Sequence, residues 1–105
     1  MSIWRKSNNL KENNHMELKN KVVVVTGAAQ GLGRQFALGC AENGMKIALA
    51  DMNPKTLEKT RKECEDKGVE ARDYELNVTE ESAVESVYLQ VVRDFGTLDA
   101  TINNA

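Results

Sequence analysis

The run KVVVVTGAAQGLGRQFA, residues 21–37, limits what this chain can fold into more than any other stretch. Valine branches at Cβ and favours extended backbone. Four in a row, with no polar alternation, require a strand covered on both faces, as in a parallel sheet flanked by helices. Three glycines follow at once, Gly27, Gly31 and Gly33, in the spacing G-x-x-x-G-x-G. Phe36, Ala37, Cys40 and Ala41 then recur at helical intervals. The first glycine lets the chain reverse tightly. The second lets a diphosphate approach the backbone, and the third lets the helix pack close to the strand. Unpaired N–H groups at the helix start, aided by the helix dipole, then face the phosphates. No Gly-Lys-Ser/Thr follows, so this is not the usual nucleoside triphosphate loop.

The same alternation continues along the chain. Strands are expected over 21–26, 46–50, within 69–76, and from 98 to 102; helices over 32–43, 54–67 and 80–95. Asn53 is placed to cap the second helix, with Pro54 where a missing N–H costs least. Thr79 is expected to cap the third, with Glu80 and Glu81 facing its positive end. Val84, Val87, Tyr88, Val91, Val92 and Phe95 form its apolar stripe, and Gly96 stops it. The order β-α-β-α-β-α-β makes the strands parallel, with helices on both faces. The folded part is expected over 18–105, preceded by a polar tail over 1–17 that is expected to be disordered.

Composition excludes several classes. The chain has 105 residues and a net charge of −2, so nothing attracts it in bulk to nucleic acid or an anionic membrane. No apolar run approaches the roughly 20 residues that span a bilayer. The first residues, MSIWRKSNNLKENN, lack the apolar core of a secretory signal, and Glu12 with the asparagines argues against a mitochondrial presequence. A cytoplasmic location is expected. Cys40 and Cys64 offer no metal spacing and read as packed thiols in a reducing compartment. The glycosylation pattern at Asn77-Val78-Thr79 reads as idle, and His15 as a solvent-facing tail residue.

Asp51 ends the second strand, 20 residues after Gly31. A carboxylate there can accept hydrogen bonds from both hydroxyls of an adenosine ribose and would repel a 2′-phosphate. Met52, Asn53 and Gln30 supply no positive charge for such a phosphate, so the residues favour NAD over NADP. Asn77, after the third strand, can meet the adenine ring or cap a turn; both readings stay open. Asn103 and Asn104 leave the fourth strand at its carboxyl end, where α/β ligand sites form, and an asparagine there can tie neighbouring loops through both amide ends.

TGAAQGLG, residues 26–33, resembles the cofactor motif of the short-chain dehydrogenases/reductases, and NNA, residues 103–105, resembles the opening of that family's Asn-Asn-Ala-Gly motif. FGTLDATINNA adds the family's usual approach, similar to that of 15-hydroxyprostaglandin dehydrogenases or insect alcohol dehydrogenases. The resemblance covers 18–105 and implies a Rossmann-like, partial doubly wound parallel sheet in strand order 3-2-1-4. It implies that Thr26, Gly27, Gly31, Leu32 and Gly33 lie along the diphosphate of NAD, with Gln30 where a basic residue is common in NADP-preferring relatives. Asp51, beside Met52, selects NAD. Asn77-Val78 takes the place of a family Asp-Val pair, from which Asn77 departs. Asn103 supports the central strands, and Ala105 lies close to the cofactor.

The family's reaction is reversible hydride transfer between a nicotinamide and an alcohol or carbonyl. Its serine and its Tyr-x-x-x-Lys have no counterpart here. Tyr74 and Tyr88 lack the lysine and read as packing residues. The 105-residue chain is therefore expected to bind the dinucleotide without turning over substrate, and to self-associate through an exposed edge strand and uncovered apolar surface. The alternatives are a non-catalytic nucleotide-binding or association module, and a remnant without ligand.

Overall fold

A computed structural model describes residues 18–104; the expectations for the tail, including His15, and for Ala105 lie outside the described residues. The elements are β1 (Val22–Thr26), α1 (Gly31–Glu42), β2 (Lys46–Asp51), α2 (Pro54–Asp66), β3 (Ala71–Glu75), α3 (Glu81–Phe95) and β4 (Ala100–Ile102). All strand pairs are parallel, in the order β3-β2-β1-β4, as the sequence implies.

The valine run explains the layering. All five residues of β1 are buried, because β1 is central and covered on both sides. Val23 and Val25 point into one core with Ala37 and Cys40 of α1 and Leu57 and Cys64 of α2. Val22 and Val24 point into the other, with Val87 and Val91 of α3. Period-two alternation of a strand thus feeds two separate cores. Register pairs Val22 with Lys46 and Thr26 with Ala50, so β1 and β2 end level with one another. The loops that follow them emerge side by side.

Several boundaries differ from the sequence expectation. α1 begins at Gly31, with Gln30 at its N-cap. α3 is capped by position Glu80 rather than Thr79, with no side-chain cap bond. The reason is local competition: the Asn77 Oδ1 accepts from both the Thr79 N–H (3.0 Å) and the Thr79 Oγ1 (2.6 Å), closing a turn before the helix. β4 starts at Ala100, because Asp99 is used otherwise: its carboxylate accepts from the Val22 N–H (2.8 Å) while its own N–H donates to the Val22 carbonyl (2.9 Å). Among the described strands β3 and β4 are the edges. Leu89 and Val92 of α3 are exposed, and no described helix is long and apolar enough to cross a membrane.

Candidate functional site

The β1–α1 loop carries its own explanation for each glycine. Gly27 (φ +64°) and Gly31 (φ +61°) have left-handed backbone, which side-chain-bearing residues rarely adopt. Gly33 is required for a different reason: a Cβ there would collide with the Gly27 carbonyl oxygen and stand 2.7 Å from the Asn104 Nδ2. Helix and strand therefore meet at Gly33, while the space above Gly31 is open. The close approach at Gly33 is the helix–strand packing that the spacing suggests for the third glycine.

Long-range hydrogen bonds hold the loop from two sides. On the β2 side the Ala28 N–H donates to the Ala50 carbonyl (3.2 Å) and the Ala29 N–H to the Asp51 Oδ2 (3.0 Å). The buried Thr60 hydroxyl of α2 donates to the Ala29 carbonyl (3.2 Å). On the β4 side the Thr26 Oγ1 accepts from the Asn104 N–H (2.9 Å) and donates to the Ile102 carbonyl (3.4 Å), and the Asn104 Nδ2 donates to the Gly27 carbonyl (3.5 Å). The tie expected of the two asparagines thus falls on Asn104. Asn103 is exposed. Thr60 and Asp99 escaped the sequence reading; the signal for Thr60 is a polar residue inside the Leu57–Cys64 stripe.

α1 begins without any side-chain cap and without an acidic residue in its first turn. Its first amides have no carbonyl one turn back, and no acidic side chain of its own first turn faces its positive end. α2 differs: the Asn53 side chain accepts from the Thr56 N–H and Pro54 occupies the first turn. α3 also lacks a side-chain cap bond but carries Glu81 in its first turn. Among the described helices α1 alone has neither a cap bond nor an acidic first turn, which leaves its amides open to an anion.

Asp51 lies beside it. Its Oδ2 is bound by Ala29 and its Oδ1 accepts from the Asn53 N–H (3.2 Å). Each carboxylate oxygen has two lone-pair directions, so one on each remains for a pair of adjacent hydroxyls. The Leu76 N–H donates to the Asp51 carbonyl (2.9 Å), which brings Asn77 and Val78 out of the sheet next to Met52. Leu32 (60% exposed) lies in the first turn of α1, while Met52 (61%) and Val78 (39%) present apolar side chains where β2 and β3 end. The latter two suit the face of a planar base. For Asn77 the turn reading is observed: its carbonyl end closes the Thr79 turn, which leaves the NH2 end to donate outward. Gln30 is exposed at the N-cap. Arg34, in the first turn of α1, is held in a two-point pair by Glu63 (Nε to Oε1, 2.9 Å). That hydrogen bond and charge raise the arginine further above its usual pKa and lower that of the Glu63 carboxyl.

The remaining reactive side chains are structural. Cys40 and Cys64 are free and buried; desolvation pushes their thiols up to about 12 and about 11. The Tyr74 hydroxyl donates to the Asp94 Oδ2 (2.8 Å); burial first, and then this bond, raise its pKa above the usual range. Tyr88 packs against the α3 core. Both tyrosines serve packing, as expected.

The short chain dehydrogenase family model matches residues 21–105. A CLA biosynthesis dehydrogenase/reductase of Lactiplantibacillus plantarum is 39% identical over 89 residues, covering 85% of this chain and 31% of that protein. An NADP-dependent mannitol dehydrogenase of Hypocrea jecorina is 44% identical over 92 residues, covering 84% and 35%. Among solved structures, an NAD+-bound xylitol dehydrogenase superposes with a TM-score of 0.82 at 48% identity, covering 85% of this chain and 34% of that one. The chain thus spans about a third of the length of the curated relatives it matches.

Proposed function

Because the chain belongs to the short chain dehydrogenase family, we propose that it is the NAD-binding portion of an oxidoreductase that transfers hydride between a nicotinamide cofactor and an alcohol or carbonyl. The bound dinucleotide supplies the hydride-carrying ring. The chain's own residues bind and orient it. The open amides at the start of α1 receive the diphosphate, and Gly31 leaves room for it to approach the backbone. Asp51 accepts from the two ribose hydroxyls with the lone pairs that Ala29 and Asn53 leave unused. Leu32 lies along the diphosphate with the glycines, Met52 and Val78 cover the base, and Asn77 donates to its edge.

Similarity alone does not decide between the cofactors, since one relative is NADP-dependent and one solved structure holds NAD+. The observation that carries the NAD reading is the Asp51 carboxylate, fixed against the loop by the Ala29 amide. A 2′-phosphate would meet that carboxylate. Arg34, a cation in the first turn of α1, is committed to Glu63. The chain has no Tyr-x-x-x-Lys, so in isolation it binds without turnover.

Calorimetric titration with NAD and with NADP tests this. NAD is expected to bind more tightly by at least about tenfold, the equivalent of about 1.4 kcal/mol. Equal affinities, or tighter NADP, would reject the ribose assignment. Oxidation of an alcohol by the purified 105-residue chain would reject the proposed lack of turnover.

A further inference from the structure

Thr60 lies in the middle of α2 and is 1% exposed, in the stripe with Leu57 and Cys64. A threonine inside a helix commonly returns its hydroxyl to the carbonyl one turn back. Thr60 instead reaches out of its helix to the Ala29 carbonyl, 31 residues away in sequence. The Ala29 N–H is meanwhile held by Asp51. Residue 29 is therefore fixed at both of its peptide units, from β2 on one side and from α2 on the other.

The consequence follows from peptide geometry. In a trans peptide the C=O and N–H point in opposite directions, and no described peptide is cis. Thr60 draws the Ala29 carbonyl into the layer between α2 and the loop. The N–H of that same unit belongs to Gln30, and it is thereby directed away from this interior. Gln30 is the exposed N-cap of α1, where no side chain caps the helix.

We propose that Thr60 is a positioning residue for the diphosphate of the dinucleotide: through the Ala29 carbonyl it sets the direction of the Gln30 amide, and with it the anion-facing end of α1. This rests on the cofactor reading above. Without the hydroxyl, the Ala29–Gln30 unit loses what prevents it from rotating, and the ligand must order it on binding. The oxygen of Thr60 matters, not its volume. Serine keeps the oxygen; valine keeps the shape.

Calorimetry with NAD on the wild-type chain, Thr60→Val and Thr60→Ser provides the test, with ligand-free melting temperatures measured alongside. Thr60→Val is expected to weaken NAD binding about tenfold, the order of one lost charge-assisted hydrogen bond, and Thr60→Ser to restore affinity to within about twofold of wild type. A folded Thr60→Val chain with unchanged affinity would overturn the proposal, even if its melting temperature fell. So would a Thr60→Ser chain as weak as Thr60→Val, which would mark Thr60 as a packing residue. Should Thr60→Val not fold, amide spectra of the wild-type chain decide: the Gln30 N–H should shift on adding NAD, and an unmoved Gln30 resonance beside shifting Gly31 and Leu32 amides would refute the assignment. If the wild-type chain binds no NAD at all, the cofactor reading itself fails and takes this inference with it; binding by wild type and Thr60→Val alike defeats this inference alone.

Discussion

Two regions of the molecule use polar groups in opposite ways. Along the β3 edge, a concavity of about 530 Å³ is lined by charged side chains, but those charges answer one another. Arg61 pairs with Glu58, Glu65 and Asp73; Arg72 pairs with Glu70 and stacks over Phe95; Tyr74 bonds Asp94. The β1–α1 loop has almost no charge, yet its amides at the start of α1 are uncapped and the adjacent Asp51 keeps accepting capacity. A groove whose charges are already matched has little left for a ligand. A loop whose backbone is held rigidly from behind, with donors facing outward, has a good deal. Size and charge would select the β3 groove; unspent hydrogen-bonding capacity is the ground on which the proposed site is the loop.

Substitutions on either side can break this contrast. The largest effect is expected from Gly33→Ala, which forces a Cβ against the Gly27 carbonyl and Asn104. Overpacking of this kind costs about 3 kcal/mol, and chemical denaturation should show it together with lost NAD binding. Next comes Asp51→Ala. It should weaken NAD binding about 30-fold, near 2 kcal/mol, while NADP loses less; equal losses would detach Asp51 from the ribose.

The alkaline limb of stability probes the layer behind the loop. Both buried thiols have folded pKa values raised above the ordinary 9, to about 12 for Cys40 and about 11 for Cys64. The folded chain therefore holds protons that the unfolded chain releases. Stability is full below pH 9 and falls as pH rises toward 11 and 12, by about 1 kcal/mol per pH unit for each thiol. Melting curves between pH 8 and pH 10.5 check this, and a flat profile would contradict the burial of the pair.

On the β3 side the effects should be smaller and should leave the cofactor alone. Tyr74→Phe removes the bond to Asp94 and should cost about 1 kcal/mol of stability with NAD affinity unchanged. Arg61→Met should cost still less, about 0.5 kcal/mol, because its ion pairs lie near the surface. A clear fall in NAD affinity from either variant would undo the distinction between matched and unspent groups.

Much of the fold is legible in local sequence. Four unbroken valines announce a strand buried on both faces, and Asn53-Pro54 announces the start of α2. The three glycines, read with the strand before them and Asp51 after, locate the loop. What local reading lacks is the choice between nearby competitors and the contacts made across space. Thr79 is a good cap by type, but Asn77 captures it first. Asn103 and Asn104 are equivalent as letters; the direction in which β4 ends gives the cross-loop bonds to Asn104. Thr60 reaches a partner 31 residues away and Asp99 one 77 residues away. Periodicity carries no information about such pairs beyond marking Thr60 as a polar residue in an apolar stripe.

A crystal structure of the chain grown with NAD tests the central claim most directly. The diphosphate should lie against the amides of residues 30–33, with the ribose hydroxyls on the Asp51 carboxylate. A dinucleotide bound in the β3 groove, or one whose ribose faces away from Asp51, would contradict it.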